Sequence, residues 1–342
     1  MRSAAKLWVS IFSTGALLLF AALLVTLFTR IPTGALTRVG QISEYQFEGQ
    51  DPAPPIPMDR VQQAAIEEAD VLVIGDSFST YFAWQSELVG AGYKVATTHW
   101  NRVAPLCQDF AQWIERAGFR GRLVLLESIE YLLPERLAAM QGCASMQARR
   151  FSLEPAPQAS PSHPPAGFAL NANARVFSGL VTWHNTREIR RSTDVRYFDA
   201  GPYGSSVFST PLDNGCAQFS HRMCDKNLFL VLDRISPELQ PADADFMHAF
   251  SQRARPLQVK WMMIPNKTTV YLDRERAQGF AQRARELDIG PDLFTAAQTG
   301  RHAMRDLYWP NDNHWSMQGQ LYFGDHLRQY VVNLIGAPQP KQ

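Results

Sequence analysis

The sequence has no excess of charge of either sign. Its 342 residues include 33 basic and 32 acidic side chains, which gives a formal net charge of +1. A nucleic-acid-binding surface usually appears as a basic excess, so we expect no nucleic-acid partner. Cys-x-x-Cys pairs and zinc-ligand spacings are also absent, so we expect no metal, and nothing in the sequence requires another cofactor. The chain contains no internal repeats.

Cysteine is scarce, with four residues, while hydrophobic residues make up 46% and charged residues 19% of the chain. Such a composition is typical of a globular protein that buries a sizeable core. The cysteines are Cys107, Cys143, Cys216 and Cys224. Four cysteines allow three pairings, and the sequence does not choose among them. Cys216 and Cys224 are close enough for a local disulfide, and buried free thiols are the alternative.

The longest uncharged stretch covers residues 7–29 at the N-terminus. A helix of this length can span the hydrocarbon core of a bilayer, which needs about 20 apolar residues. Arg2 and Lys6 precede it and favour a cytoplasmic N-terminus. We therefore predict a cytoplasmic tail over residues 1–6, a single-pass transmembrane anchor over residues 7–29, and export of the remainder. A cleaved signal peptide is the alternative, and it would export the remainder as well.

Short apolar runs alternate with helical patterns through most of the remaining chain. The predicted strands cover residues 71–74, 93–97, 122–126 and 259–264, and predicted helices lie at residues 106–117, within 270–287 and at 316–335. This alternation predicts an α/β domain over residues 66–335, with a doubly wound, mainly parallel sheet flanked by helices. Residues 30–65 contain a proline-rich stretch and are predicted to be a linker. Residues 145–224 break the alternation and are predicted to be a loop-rich insertion with room for short strands; it is a lid or binding surface, or plain disorder in its proline-rich part.

Ser77 follows the first predicted strand directly, in the run Gly75-Asp76-Ser77-Phe78-Ser79. Functional sites of open α/β sheets lie at the carboxyl ends of the strands. A serine placed there, at the start of a predicted helix, is a candidate nucleophile whose own backbone amide can stabilise an oxyanion. A helix N-cap is the alternative. The run is not a Gly-x-Ser-x-Gly elbow, because Ser79 replaces the second glycine.

Asp312 and His314 lie directly before the last predicted helix. A serine nucleophile needs a general base, and histidine suits that role near neutral pH. The histidine in turn needs an acceptor that fixes its tautomer, and Asp312 is the nearest carboxylate in sequence. Taken alone, each would be an ordinary loop residue. Two such motifs at the two ends of one α/β domain favour a triad of Ser77, His314 and Asp312.

The serine run and the run Asp312-Asn313-His314-Trp315 together resemble the SGNH (GDSL-like) hydrolase superfamily, and within it the alginate O-acetyltransferase branch. Two further segments, residues 264–271 and 123–132, are similar to elements of that branch. The resemblance covers roughly residues 66–335. It implies a domain in the periplasm, anchored in the inner membrane, that acetylates an exopolysaccharide. It also implies an acetyl donor supplied by a membrane-bound acyltransferase partner. The serine motif comes first here, as in the wider superfamily but unlike the alginate branch, and Asn311 stands where the superfamily usually has its aspartate.

Other residues are candidates for supporting roles. No Gly-x-Asn-Asp block is present, so Asn101 is the candidate oxyanion donor beside Ser77, with a turn residue as the alternative. Lys267 and Tyr271 are candidate substrate contacts, with a surface lysine and a packed tyrosine as the alternative. Trp315 could stack on a sugar ring or pack in the core. Three other histidines are predicted to be ordinary loop or surface residues: His99, His184 and His302.

These residues predict acyl transfer in two steps, in which Ser77 takes an acetyl group from a donor and a sugar hydroxyl then removes it. An esterase with the same triad, with water as the acceptor, is the second hypothesis. A catalytically silent polysaccharide-binding or assembly protein is the third. The triad alone does not separate the first two, because only water exclusion and acceptor binding distinguish them.

Overall fold

The computed structural model describes residues 2–148, 150–158, 169–199 and 206–338. Contacts divide the chain into two compact units. The first unit comprises Met1–Asp51, Pro164–Val231 and Trp309–Asn313. The second unit comprises Pro52–His163, Leu232–Tyr308 and His314–Gln342.

Helices and strands alternate along most of the described chain. The α-helices are α1 (Arg2–Phe28), α2 (Ala35–Gly40), α3 (Glu44–Phe47), α4 (Gln85–Gly90), α5 (Trp100–Val103), α6 (Phe110–Arg116), α7 (Leu133–Met140), α8 (Ser178–Arg191), α9 (Gly215–Gln218), α10 (Leu232–Ile235), α11 (Pro241–Arg253), α12 (Lys267–Tyr271), α13 (Gln278–Glu286), α14 (Leu293–Ala303) and α15 (Met317–Ile335). The strands are β1 (Val71–Gly75), β2 (Val95–His99), β3 (Leu123–Ile129), β4 (Arg196–Asp199), β5 (Ser206–Pro211), β6 (Lys226–Leu230) and β7 (Gln258–Ile264). Short 3₁₀ turns lie at Met58–Arg60, Ile66–Glu68 and Glu130–Leu132.

The second unit is built on a four-stranded parallel sheet with the order β2-β1-β3-β7. The residues of β1 and β3 are buried throughout, as expected for central parallel strands that are covered on both faces. The sheet confirms the predicted α/β fold with a parallel sheet flanked by helices. Three of the four strands lie within two residues of their predicted bounds, and β3 extends three residues beyond its predicted end.

Helices cover both faces of this sheet. Leu72 and Ile74 of β1 join one apolar core with side chains of α6, α7, α11 and α13. Successive residues of a strand point to opposite faces, so Val71 and Val73 lie on the other face. Helix α4 packs against β2 and α15, and α14 packs against β7 and α15. The last helix, α15, begins where Ser316 caps it, since the Ser316 hydroxyl accepts the Gly319 N–H at 3.0 Å.

The first unit contains a three-stranded antiparallel sheet with the order β4-β5-β6. Helix α2 packs against all three strands, and α8 packs against β4 and α1. A disulfide joins Cys216 to Cys224 in this unit, and a second disulfide joins Cys107 to Cys143 in the second unit. The local pairing expected for Cys216 and Cys224 is therefore present.

Two stretches are more ordered than the sequence indicated. Residues 30–65 are not an extended linker throughout, because α2 and α3 form within them and bury Leu36 and Phe47 in the first unit. Residues 145–224 are not loop-rich throughout, because they include α8, β4, β5 and α9. The proline-rich part of that segment, residues 161–165, lies outside the described residues.

The first helix is long and apolar enough to cross a membrane, over 24 residues from Ala4 to Leu27. Its large apolar side chains are mostly exposed to the surroundings, including Leu7, Phe12 and Leu18. Helix α1 therefore has the surface of a lipid-facing segment rather than of a core helix.

Candidate active site

Ser77 lies just beyond the carboxyl end of β1, and its side chain is exposed. Gly75 ends the strand at a point of close approach, because a Cβ there would lie 2.3 Å from Ser79 Oγ and 2.6 Å from Glu127 Oε2. The predicted helix after Ser77 is replaced by turns, and α4 begins only at Gln85. Phe82, with a φ of 57°, adopts a left-handed conformation that interrupts any helix at this point.

A buried carboxyl group supports the turn that carries Ser77. Glu127, at 0% exposure on β3, accepts hydrogen bonds from the Asp76 N–H and the Ser79 hydroxyl, both at 2.7 Å. Burial raises the pKa of Glu127 well above its usual range, and the adjacent Asp76 raises it further. This shift favours the protonated form of Glu127. Its second oxygen, Oε1, has no donor among the described residues, which fits an oxygen that carries the proton.

Asp76 is the ionised partner of this pair. Burial alone would raise the pKa of Asp76, but the hydrogen bond with Glu127 and the charge of Arg136 hold it below its usual value. Asp76 Oδ2 accepts from Arg136 Nη1 and from the Ile129 N–H, both at 3.0 Å, and Oδ1 accepts from the Phe78 N–H at 3.1 Å. The residues on both sides of Ser77 are thus held by a buried network that spans β1, β3 and α7.

His314 is brought next to Ser77, as the sequence predicted. Its Nε2 lies 2.6 Å from Ser77 Oγ, although 237 residues separate them. With a neutral imidazole protonated at Nδ1, the serine hydroxyl donates to Nε2 in this pair. The Phe78 ring lies 4.7 Å from the imidazole ring, centre to centre, and limits its movement. The arrangement matches a nucleophile and its general base within hydrogen-bond reach.

The chain around His314 is anchored within the second unit. Trp315 is buried, stacks on Phe323 at 4.0 Å and meets the Phe78 ring edge-on at 5.2 Å. The next residue, Ser316, donates its N–H to the Leu307 carbonyl at 3.1 Å and caps α15. These contacts fix the position of the imidazole. They also place Trp315 in the core rather than on an open sugar-binding surface, which corrects the stacking hypothesis.

Asp312 lies in the segment Trp309–Asn313 of the first unit. Its Oδ2 accepts the Ala35 N–H at 2.7 Å, and the backbone carbonyl of Asn311 accepts the Leu36 N–H at 3.0 Å. The Asn311 side chain donates to the buried Glu44 at 2.6 Å. Asp312 is therefore held at the start of α2, and its role towards His314 stays a prediction.

Two side chains at the end of β2 lie at the same edge of the sheet as Ser77. His99 pairs in register with Gly75, and its Nδ1 accepts the Asn101 N–H at 3.0 Å. Because Nδ1 accepts, the ring proton lies on Nε2, and burial, which lowers the pKa of His99, favours this neutral form. Asn101 itself is exposed at the start of α5. The Ser77 N–H makes no hydrogen bond to another described residue, so it is an available donor, whereas the Phe78 and Ser79 N–H groups are bound to Asp76.

Lys267 and Tyr271 are not at an open cleft. Both are buried in α12, at 0% and 2% exposure, so neither the predicted substrate contact nor the surface-lysine alternative describes Lys267. Burial raises the pKa of Asp233 to about 6, and the nearby charge of Lys267 opposes that rise; the Asp233 carboxylate also accepts from Thr268. A nearby carboxylate makes the burial of a lysine possible, and this pairing explains the difference.

The support provided by Glu127, Asp76 and Arg136 was missed in the sequence. One signal was present, since Glu127 directly follows an uninterrupted apolar run and a carboxyl group there is expected to be buried with that strand. The hydroxyl at position 79 is also explained by this network, because Ser79 donates to Glu127 where a glycine would leave the acceptor unfilled.

Within the described residues, no cluster of three or more His, Cys, Asp or Glu side chains is arranged to hold a metal ion. The chain matches no family model, and no curated protein or solved structure is significantly similar to it. Function therefore has to be inferred from the geometry of the site.

Proposed function

We propose that the second unit is a serine O-acyltransferase that acetylates a polysaccharide, with Ser77 as nucleophile and His314 as general base. The observation that carries this proposal is the 2.6 Å distance between Ser77 Oγ and His314 Nε2. The likeness of the two motifs to SGNH hydrolases, and to their alginate O-acetyltransferase branch, supports the same chemistry. An exposed serine hydroxyl that donates to a held imidazole is the arrangement such chemistry requires.

In the first half-reaction, His314 takes the proton from Ser77 Oγ as the oxygen attacks the carbonyl carbon of an acetyl ester. The C–O bond to the donor then breaks, and the proton passes from His314 to the leaving alcohol. In the second half-reaction, a sugar hydroxyl gives its proton to His314 and attacks the acetyl group on Ser77. The proton returns to Ser77 Oγ as the acetylated sugar leaves, so the enzyme is restored.

The tetrahedral oxyanion of each step needs hydrogen-bond donors that are already in place. The Ser77 N–H is available for this, and Asn101 and His99 are further candidates at the same sheet edge. One such donor typically lowers the barrier by about 2.7–4 kcal/mol. Asp312 is proposed to accept from His314 Nδ1 and so to hold the tautomer that leaves Nε2 free.

The location of the reaction follows from α1 and from the cysteines. An apolar α1 that carries Arg2 and Lys6 at its N-terminal end supports an inner-membrane anchor with a cytoplasmic N-terminus. Both cysteine pairs are disulfide-bonded, which suits an oxidising compartment such as the periplasm. Acetyl-CoA is cytoplasmic, so we propose that a membrane-bound acyltransferase partner supplies the acetyl group.

Acetyl transfer can be measured with a chromogenic acetyl ester, with and without an oligosaccharide acceptor. Acetylated oligosaccharide from the wild-type chain, and none from Ser77→Ala, is the expected result. Ser145→Ala is the matched control, because Ser145 is another exposed serine of the second unit. Release of acetate without any acetylated sugar would assign the same triad to an esterase. Absence of any turnover in the wild-type chain would favour a binding or assembly protein.

A further inference from the structure

A cavity of about 800 Å³ lies beside the end of α1 in the first unit. Its walls are the last turn of α1 with the residues that follow it, the chain around Tyr45, and one face of α8. We call it the arginine cavity after four of its lining side chains, which are Arg30, Arg187, Arg190 and Arg191. Its lining includes no acidic residue.

The arginine cavity is tied to the point where α1 ends. The Thr26 hydroxyl donates to the Val176 carbonyl at 2.5 Å and accepts the Gly179 N–H at 3.0 Å. A Cβ on Gly179 would lie 2.6 Å from Thr26 Cα, so only glycine permits this approach. The N-terminal end of α8 is therefore fixed against the last turns of α1. If α1 crosses a membrane, α8 begins where α1 leaves it.

The charges in the arginine cavity are only partly compensated. Arg30 pairs with Glu48, which also pairs with Arg222 at 3.2 Å. Arg187 lies over the Trp183 ring at 5.1 Å. In the parts of the chain that the structure describes, Arg190 and Arg191 form no ion pair. The cavity therefore offers guanidinium groups that are free to bind an anion, and guanidinium matches phosphate oxygens well.

The surface next to the cavity is apolar and exposed. It consists of side chains just before α8 and on its first turns, which are Leu170, Val176, Phe177, Leu180, Val181 and Trp183. Trp183 is 57% exposed, and tryptophan is enriched at membrane–water interfaces. This patch continues the lipid-facing surface of α1 through the Thr26–Gly179 contact. A bilayer, rather than a soluble protein, is therefore the occupant that the surroundings favour.

We infer that the arginine cavity binds the phosphate headgroup of an anionic phospholipid, while the apolar patch of α8 enters the membrane interface. This inference rests on α1 crossing a membrane and does not depend on the chemistry at Ser77. Anionic headgroups attract basic side chains that lie near the membrane surface. The arrangement would hold the first unit against the bilayer.

The test uses the full-length protein in detergent micelles and counts bound lipid by native mass spectrometry. Phosphatidylglycerol and phosphatidylcholine with the same acyl chains are added in turn. We expect the wild-type chain to retain phosphatidylglycerol preferentially, and Arg190→Gln/Arg191→Gln to bind it about 10–30-fold more weakly. Arg253→Gln/Arg255→Gln, an exposed pair in the second unit, is the matched control and should bind as the wild type does.

Equal retention of the two lipids, or unchanged binding by the Arg190/Arg191 variant, would overturn the inference. Displacement of the lipid by millimolar inorganic phosphate would assign the cavity to a free anion instead and would overturn it too. A second measurement tests whether the apolar patch of α8 enters the membrane. It records the quenching of tryptophan fluorescence by phospholipids brominated near the headgroup. Wild-type fluorescence should be quenched more than that of Trp183→Phe, with Trp8 of α1 as the internal reference. Equal quenching would contradict insertion of α8.

Discussion

Replacing Glu127 by alanine should strongly destabilise the second unit, whereas replacing it by glutamine should not. The carboxyl group of Glu127 is fully buried and accepts the Asp76 N–H and the Ser79 hydroxyl. Alanine leaves both donors without a partner, and each such buried group costs about 1–3 kcal/mol, or about 2–6 kcal/mol together. At about 2–4 °C per kcal/mol, the melting temperature should fall by roughly 4–24 °C.

The variant Glu127→Gln tests whether the buried carboxyl group of Glu127 is neutral. The raised pKa of Glu127 favours a neutral carboxyl group, which accepts both hydrogen bonds through Oε2 and has Oε1 left to carry the proton. A glutamine amide has the same acceptor and donor and should melt close to the wild type. The assay is thermal unfolding of the full-length protein in detergent, with exposed Glu115→Gln as the matched control. A glutamine variant that melts as low as the alanine variant would refute a protonated Glu127, and an unaffected alanine variant would refute the supporting role.

Three other changes test separate parts of the molecule. Burial raises the pKa of Glu130 to about 7, so the folded chain holds a proton that the unfolded chain releases. The free energy of unfolding should therefore fall by up to about 3 kcal/mol as pH rises from about 4.5 to 7. Glu130→Gln should reduce that fall in urea titrations, and an unchanged slope would contradict the assignment. Asp312→Asn should leave the fold intact but slow acylation of Ser77 by about 10³–10⁴-fold, whereas an unchanged rate would remove Asp312 from the triad. Replacing Cys216 and Cys224 by serine should lower the free energy of unfolding by about 2–3 kcal/mol in denaturant titrations, since their bridge closes a short loop; no loss would show that the loop is ordered without it.

The sheet of the second unit was predictable because its strands are short apolar runs buried on both faces. The run before Ser77 is an example, since four consecutive apolar residues ending at a glycine leave few alternatives. The Ser77–His314 pair was predictable for a related reason. The carboxyl ends of the strands form one edge of the sheet, where a functional site is expected. A serine nucleophile at that edge needs a general base, and a histidine suits this role.

Other features depend on partners far apart in sequence. The burial of Lys267 could not be foreseen, because the compensating Asp233 lies on a different helix. The disulfide between Cys107 and Cys143 was one of several possible pairings. Helix α2, which buries Leu36, packs against the sheet of the first unit, and no local pattern in the sequence shows that surface.

The covalent reactivity of Ser77 is the most direct measure of the proposed chemistry. The full-length protein is treated with a serine-reactive fluorophosphonate, and the adduct is located by intact and peptide mass spectrometry. If His314 activates the hydroxyl, the wild-type chain should carry one adduct on Ser77, and His314→Gln should react far more slowly. An unlabelled Ser77 in the folded wild-type chain, or equal labelling in both chains, would contradict the catalytic pair.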